Sequence, residues 1–286
     1  MIPDFSDRSK ELQERLLKFM DDTVYPNEEV YQEQLDGAEE RWRVPPVLEE
    51  MKLKAREIGL WNLFLPHEYG EFSPGLTNLE YAPIAELLGR VPWSSQVLNC
   101  SAPDTDNMEV LTKFGSPSQQ EKWLKPLLDG TIRSAYVMTE PQVASSDATN
   151  LELSITPDGD HYVLNGLKRV ISGAPYADFA ILMAVTDPDA GPRGVTAFLV
   201  DFDRPGVTVS ADYTPISGKN VHADIRLEDV RIPATQVLGE EGQGFRLGMS
   251  RITVNRLLHC PTMTGLAMQS LDAAARYATR RQQFGQ

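Results

Sequence analysis

Two cysteines, Cys100 and Cys260, are the only thiols in 286 residues. So few, so far apart, exclude a disulfide framework and the clustered thiols of a zinc site. Positive charge is also scarce: 27 Lys and Arg stand against 41 Asp and Glu, a net charge of −14. That excludes a nucleic-acid binder, which needs a basic face, while leaving room for a local basic pocket around a phosphorylated ligand. No apolar run approaches the roughly 18 residues that a membrane-crossing helix requires. The opening stretch, MIPDFSDRSKELQERLL, lacks the apolar core of a signal peptide. The expected location is the cytoplasm in a bacterium, or the mitochondrion or peroxisome in a eukaryote.

What is present is ordinary globular composition, with 41% apolar residues, enough to bury a sizeable core. Residues 1–133 read as helices. Pro45 and Pro46 open one in which Val47, Met51, Ala55 and Ile58 share a face. A second puts Leu79, Ala82, Ala85 and Leu88 together, carries Pro83 as a first turn or kink, and is stopped by Gly89. Ser116 and Pro117 suit the N-cap and first position of another helix. Residues 134–240 change texture to short β-branched runs separated by turns, and Pro157-Asp158-Gly159-Asp160 joins two of them as a hairpin. Helical periodicity returns over residues 241–286, where Pro261 is expected to kink or split the helix. Helices first, strands next and helices last define an α+β protein with segregated layers. Met268, Leu271, Ala274, Ala275 and Ala278 form an apolar stripe that needs partner helices. The expectation is therefore that a C-terminal helical region is missing, separately encoded or supplied by another subunit.

The stretch Tyr136–Asn150, YVMTEPQVASSDATN, begins as a strand and dissolves into small residues and hydroxyls. Locally it reads as a surface turn capped by Ser, or as a loop whose backbone and hydroxyls meet a ligand. Gly242-Gln-Gly244 has the wrong spacing for a dinucleotide fingerprint and reads as a turn into a helix. His67-Glu68 does not continue into a zinc motif. His259-Cys260 reads as core or interface, and Glu140 as a structural residue holding the Pro turn.

Taken together, several motifs resemble the acyl-CoA dehydrogenase family in one order along nearly the whole chain. They are Tyr136-Val-Met-Thr-Glu-Pro141 with its Ser-Asp pair, Leu164-Asn-Gly-Leu-Lys168 with Ile171-Ser-Gly173, Val230-Arg-Ile-Pro233, Leu238-Gly-Glu-Glu-Gly-Gln-Gly-Phe245, Asn255-Arg256, and Arg280-Arg-Gln-Gln-Phe-Gly285. The longer loop PQVASSDATN, Gly59–Pro66 and Ala102–Glu109 look like the branch that holds family members ten and eleven. The resemblance implies an N-terminal helical domain, a β-barrel-like middle domain and the beginning of a C-terminal four-helix bundle. It also implies FAD as cofactor. Tyr136, Met138 and Thr139 would meet the polar edge of the flavin, Ser145 and Ser146 the pyrophosphate or acyl-CoA, and Val170, Ile171 and Ser172 the ring. Relatives often have an aromatic where Val170 stands. Arg281, Gln283 and Phe284 would reach FAD in a neighbouring subunit, and Ser146, Thr253, Asn255 and Arg256 the acyl-CoA.

The implied chemistry is α,β-dehydrogenation of an acyl-CoA thioester to the trans-2-enoyl-CoA, with electrons passed to an electron-transfer flavoprotein and a homodimer or homotetramer as the assembly. Some relatives place the catalytic carboxylate where Asn255 stands, and an amide cannot abstract a proton. The base is expected C-terminal to Gln286. Two rivals stay open: a non-catalytic or split subunit that lends binding surface to an oligomer, and an acyl-CoA oxidase-like flavoenzyme.

Overall fold

The computed structural model describes residues 4–37, 44–145, 147–210 and 222–285. The chain divides into two compact units, one of residues 1–37, 45–101 and 254–286, the other of 38–44 and 102–253.

The first unit is helical: α1 (Asp7–Phe19), α2 (Glu28–Asp36), α3 (Pro46–Glu57), α4 (Asn78–Gly89) and the short α5 (Ser94–Val97). Local chemistry starts them. The Ser6 hydroxyl accepts from Ser9 N–H at the head of α1, and Thr77 and Glu80 form a reciprocal capping box on α4. Val47, Met51 and Ala55 of α3 are buried, as their spacing predicts, but Ile58 is 44% exposed. It falls on the C-cap, at φ −94° and ψ 7°, where helical periodicity no longer applies. The buried row of α4 is Tyr81, Ile84, Ala85 and Leu88, with Leu79 turned out. Pro83 stands inside α4.

The second unit carries α6 (Asp104–Phe114), α7 (Pro117–Gln119), a π-turn and α8 (Lys125–Leu128). Ser116 caps α7 with Pro117 at its first position. Among the described residues seven strands follow: β1 (Ser134–Val137), β2 (Ile155–Asp158), β3 (His161–Ser172), β4 (Phe179–Val185), β5 (Val195–Asp201), β6 (Val207–Ser210) and β7 (His222–Pro233). They make two sheets, β1-β4-β5 and β2-β3-β7-β6. Asp158 pairs with His161 across the two-residue turn, and Gly159 there takes φ 64°. Inward residues of both sheets, among them Val137, Leu164, Ile171, Phe198 and Ile225, share one apolar cluster. A bridge between Ser154 and Val185 links the two sheets, which gives the wrapped character of a barrel. β1 runs parallel to β4 although some forty residues of chain separate them, a pairing that strand periodicity does not encode.

Helix α9 (Gly244–Ala278) begins after Gly242, at φ 77°, and runs through Pro261 without a break. Proline removes the one backbone donor that would reach the carbonyl four positions before it, and Leu257 there is 65% exposed. Leu257, Met263, Met268 and Leu271 all lie exposed on this helix, as do His259 and Cys260. No helix among the described residues is long and apolar enough to cross a membrane.

Candidate functional site

The chain leaves β1 at Val137, and its next three residues run alongside β3. The Thr139 carbonyl accepts from Arg169 N–H at 2.9 Å, and the Met138 carbonyl accepts from Lys168 Nζ at 2.9 Å. The end of β1 is therefore tied to Lys168 and Arg169, the two residues just before Val170–Ser172, although the segments are far apart in sequence.

Lys168 has no exposed surface. Besides Met138, its ammonium donates to the Met183 carbonyl and to Glu140 Oε1, each at 2.8 Å, so its three N–H groups are all used. Glu140, 4% exposed, in turn accepts from Glu152 N–H at 2.9 Å and Leu153 N–H at 3.1 Å. The Ser145 hydroxyl accepts from Glu140 N–H at 2.8 Å and faces the Glu140 carbonyl at 3.1 Å. The turn after Pro141 is thus closed from within. Ser145 is spent as its cap and is 3% exposed, which leaves no free hydroxyl for a phosphate. Ser146 lies outside the described residues.

Burial pushes the Lys168 ammonium down to about 8, with the Glu140 carboxylate acting in the opposite direction. An unfolded lysine titrates near ~10.4. Below pH 8 the lysine carries its proton in both states, and the folded state bears the full penalty of the buried charge. Between pH 8 and ~10.4 the unfolded chain binds that proton and the folded chain does not, so this group's contribution to stability rises with pH. The difference in unfolding free energy between the parent and Lys168→Met, measured in urea, is expected to grow across that window by on the order of 3 kcal/mol at most. A flat difference would contradict the assignment.

Past Lys168 the β3–β7 register slips by one residue: Lys168 faces Ile225, but Ile171 faces Ala223. The extra residue is a β-bulge. Val170 within it adopts φ 57°, a conformation that β-branched residues avoid, and its side chain is 46% exposed. The buried Asp224 carboxylate holds the bulge: Oδ2 accepts from Arg169 Nε and NH2 at 3.0 Å, and Oδ1 from Val170 N–H at 3.3 Å. Such strain persists only where its surroundings impose it and gathers at ligand sites. The Ile171 side chain is in the apolar core, 2% exposed, so only its backbone remains available to a ligand. Ser172 is exposed, its Oγ 3.0 Å from His222 Nδ1.

Behind Tyr136 lies a second buried polar group. The Arg251 guanidinium of α9 stands 4.1 Å from the centroid of the Tyr136 ring, 3.4 Å from Asp106 Oδ2, and donates through Nε to Asn107 Oδ1 at 2.8 Å. Asn107 continues to Ser134 Oγ at 2.9 Å, and Ser134 donates to Asp104 Oδ1 at 2.6 Å. Burial lowers the Arg251 pKa against Asp106 and Tyr136, and raises the Tyr136 phenol to about 12, keeping it neutral. Gly248 faces the phenol, since a Cβ there would come 2.6 Å from Tyr136 OH.

Thr253 is exposed, with its hydroxyl turned back onto the Met249 carbonyl at 2.9 Å; Asn255 is half-buried and Arg256 exposed. Arg281, Gln283 and Phe284 follow the end of α9 and are exposed, Phe284 fully, with Arg281 donating to Tyr277 OH. They belong to the other compact unit, so the structure does not join them to the Tyr136–Ser172 edge. Neither Lys168 nor Arg251 stood out as a site residue in the sequence. Lys168 had a readable signal: it shares strand parity with Leu164, an inward position where a lysine needs a partner. Arg251, seven residues into a helix with polar neighbours, had none.

A helical layer followed by a two-sheet β unit, with a strand-end loop clamped against a bulged strand, defines a class of helix–sheet–helix protein built around that edge. The comparisons name it. Residues 6–131, 135–230 and 242–286 match the N-terminal, middle and C-terminal domains of acyl-CoA dehydrogenase. The chain is 45% identical over 282 residues to the "Probable acyl-CoA dehydrogenase FadE2" of Mycobacterium tuberculosis, covering 95% of this chain and 67% of that protein. It is 40% identical to mouse acyl-CoA dehydrogenase family member 10, covering 96% of this chain and 27% of that one. The solved structure "Structure of a putative acyl-CoA dehydrogenase from Mycobacterium abscessus" superposes with a TM-score of 0.91 at 40% identity, over 99% of this chain and 73% of that chain. The chain belongs to the acyl-CoA dehydrogenase family.

Proposed function

We propose that the chain supplies the flavin and thioester surfaces of an FAD-dependent acyl-CoA dehydrogenase, an oxidoreductase that introduces a trans-2 double bond into an acyl-CoA thioester. The observation that carries this reading is the tie of Met138 and Thr139 to Lys168 and Arg169, which lead directly into the bulged Val170–Ser172 segment. The donor set suits a flavin. Thr139 and Ser172 offer hydroxyls, Met138 and Thr139 lie half-buried, and Val170 turns an apolar side chain outward. A flat ring with one polar edge needs hydroxyl and backbone partners on that edge and an apolar contact on its face.

When bound, FAD supplies acceptance of a hydride equivalent, which the twenty natural side chains lack. Tyr136, Met138, Thr139 and Ser172 would hold its polar edge, Val170 and the Ile171 backbone would meet the ring, and Arg281, Gln283 and Phe284 would reach the cofactor of a second copy, which would make the working unit at least a dimer. Arg281 is suited to a pyrophosphate because its planar fork matches phosphate oxygens. Thr253, Asn255 and Arg256 line the acyl-CoA path. Asn255 orients but cannot take a proton, so no residue of this chain is assigned as the base. An electron-transfer flavoprotein is the proposed acceptor.

Anaerobic titration of the protein with FAD, followed by an acyl-CoA, tests this reading. A yellow complex that bleaches on acyl-CoA is the expected result. A protein that stays colourless after FAD and desalting overturns it. Oxygen uptake without an added acceptor would move the reading to an acyl-CoA oxidase.

A further inference from the structure

We infer that Lys168 and Glu140 are positioning residues, a buried pair whose task is to hold the loop after β1 in register with the bulge of β3 so that both segments can receive the cofactor. This rests on the reading of those segments as flavin contacts.

The argument is one of connectivity. A single ammonium reaches the end of β1 through the Met138 carbonyl at 2.9 Å and β4 through the Met183 carbonyl at 2.8 Å, while its own backbone is in β3. It therefore ties both sheets together at one point. The partner carboxylate closes the other side: Glu140 takes Lys168 on Oε1 at 2.8 Å and receives the Glu152 and Leu153 amides, drawing the far end of the same loop back to its start.

Stability alone does not call for charges here, because a well-packed apolar pair of similar volume is commonly as stabilising as a buried ion pair. What an apolar pair cannot do is fix two carbonyls and two amides in direction. Apart from the bond to Met183 in β4, the pair's bonds to backbone atoms fall on the proposed cofactor segment or on the loop that carries it. Thr139, between Met138 and Glu140, has no freedom to move independently of them.

The pair Lys168→Met/Glu140→Leu separates the two roles. With no buried charge left, the double variant is expected to recover most of the thermal stability that Lys168→Met alone loses. FAD affinity is nevertheless expected to fall about tenfold or more, with a shifted visible spectrum of the bound flavin, because the segment is no longer held to the geometry its ligand needs. A double variant that matches the parent in FAD affinity and spectrum overturns the inference. If the double variant does not fold, Glu140→Gln decides. It removes the charge and one of the two strong acceptors, and FAD affinity is expected to fall several-fold, whereas an unchanged affinity overturns the inference. Failure of the parent itself to bind FAD would instead remove the underlying reading, an outcome visible before any variant is made.

Discussion

Arg251→Met is expected to lower the unfolding free energy by about 3–5 kcal/mol, the usual consequence of taking one partner from a buried ion pair. The Arg251 side chain is 8% exposed and that of Asp106 is 0%. Substitution leaves the Asp106 carboxylate in the interior without the guanidinium charge, strips Asn107 Oδ1 of the Arg251 Nε donor, and uncovers the face of the Tyr136 ring. Each loss has a separate physical size. A stacked cation on an aromatic face contributes about 0.5–2 kcal/mol, and a hydrogen bond to a charged group about 1.5–3 kcal/mol. They share atoms, so they do not add. The check is urea unfolding at constant m-value, with Arg251→Met/Asp106→Leu as the second corner of a cycle. That double variant removes both charges and is expected to recover part of the loss. A single-variant loss below about 1 kcal/mol would mean that the cluster is wetter and weaker than its burial indicates.

Gly265→Ala is expected to destabilise by about 1–3 kcal/mol, although alanine is worth nearly ~1 kcal/mol more than glycine inside a free helix. The sign is the point of the experiment. A Cβ on Gly265 would lie 1.8 Å from the Glu86 carbonyl oxygen and 3.1 Å from Gly89 Cα. One on Gly89 would lie 2.0 Å from the Thr262 carbonyl oxygen. Helices α4 and α9 therefore touch backbone to backbone, and the obstacle is a main-chain carbonyl that cannot rotate aside. Gly89→Ala should show the same loss. The double variant should lose less than the sum, because one displacement of α9 relieves both clashes. A gain in melting temperature on Gly265→Ala would show that the two helices do not make this contact in solution.

Much of the fold could be read from the chain because its causes are local. Ser116 and Pro117 make a helix start through their own hydroxyl and ring, whatever surrounds them. Gly159 makes the hairpin because φ 64° is open to it. Val47, Met51 and Ala55 face inward because 3.6 residues per turn puts them on one side. The strand-end loop of small residues and hydroxyls was also visible, but local chemistry left a capped surface turn and a ligand loop both open. The cofactor reading of it and of Val170–Ser172 came with the family resemblance. The same local reasoning misplaced Ile58 and Leu79. Ile58 sits one residue beyond the helix, and the inward face of α4 is chosen by what packs against it.

Gly89 marks the boundary between the two kinds of knowledge. Its sequence context is that of a helix stop, and it does stand last in α4, yet the residue after it remains right-handed. Its lack of a side chain serves α9, a helix far downstream. Lys168 and Glu140 follow the same logic. Each is legible as a polar residue in an awkward place, and their partnership exists because β1, β3 and β4 converge. Composition, charge, caps, turns and periodicity were determined by the sequence alone, since each depends on neighbours within a few residues. The parallel pairing of β1 with β4, the strained bulge at Val170, the Arg251–Asp106 cluster and the glycine crossing were decided only by the tertiary structure. Their energies come from burial and direct contact between groups that the chain brings together only when it is folded.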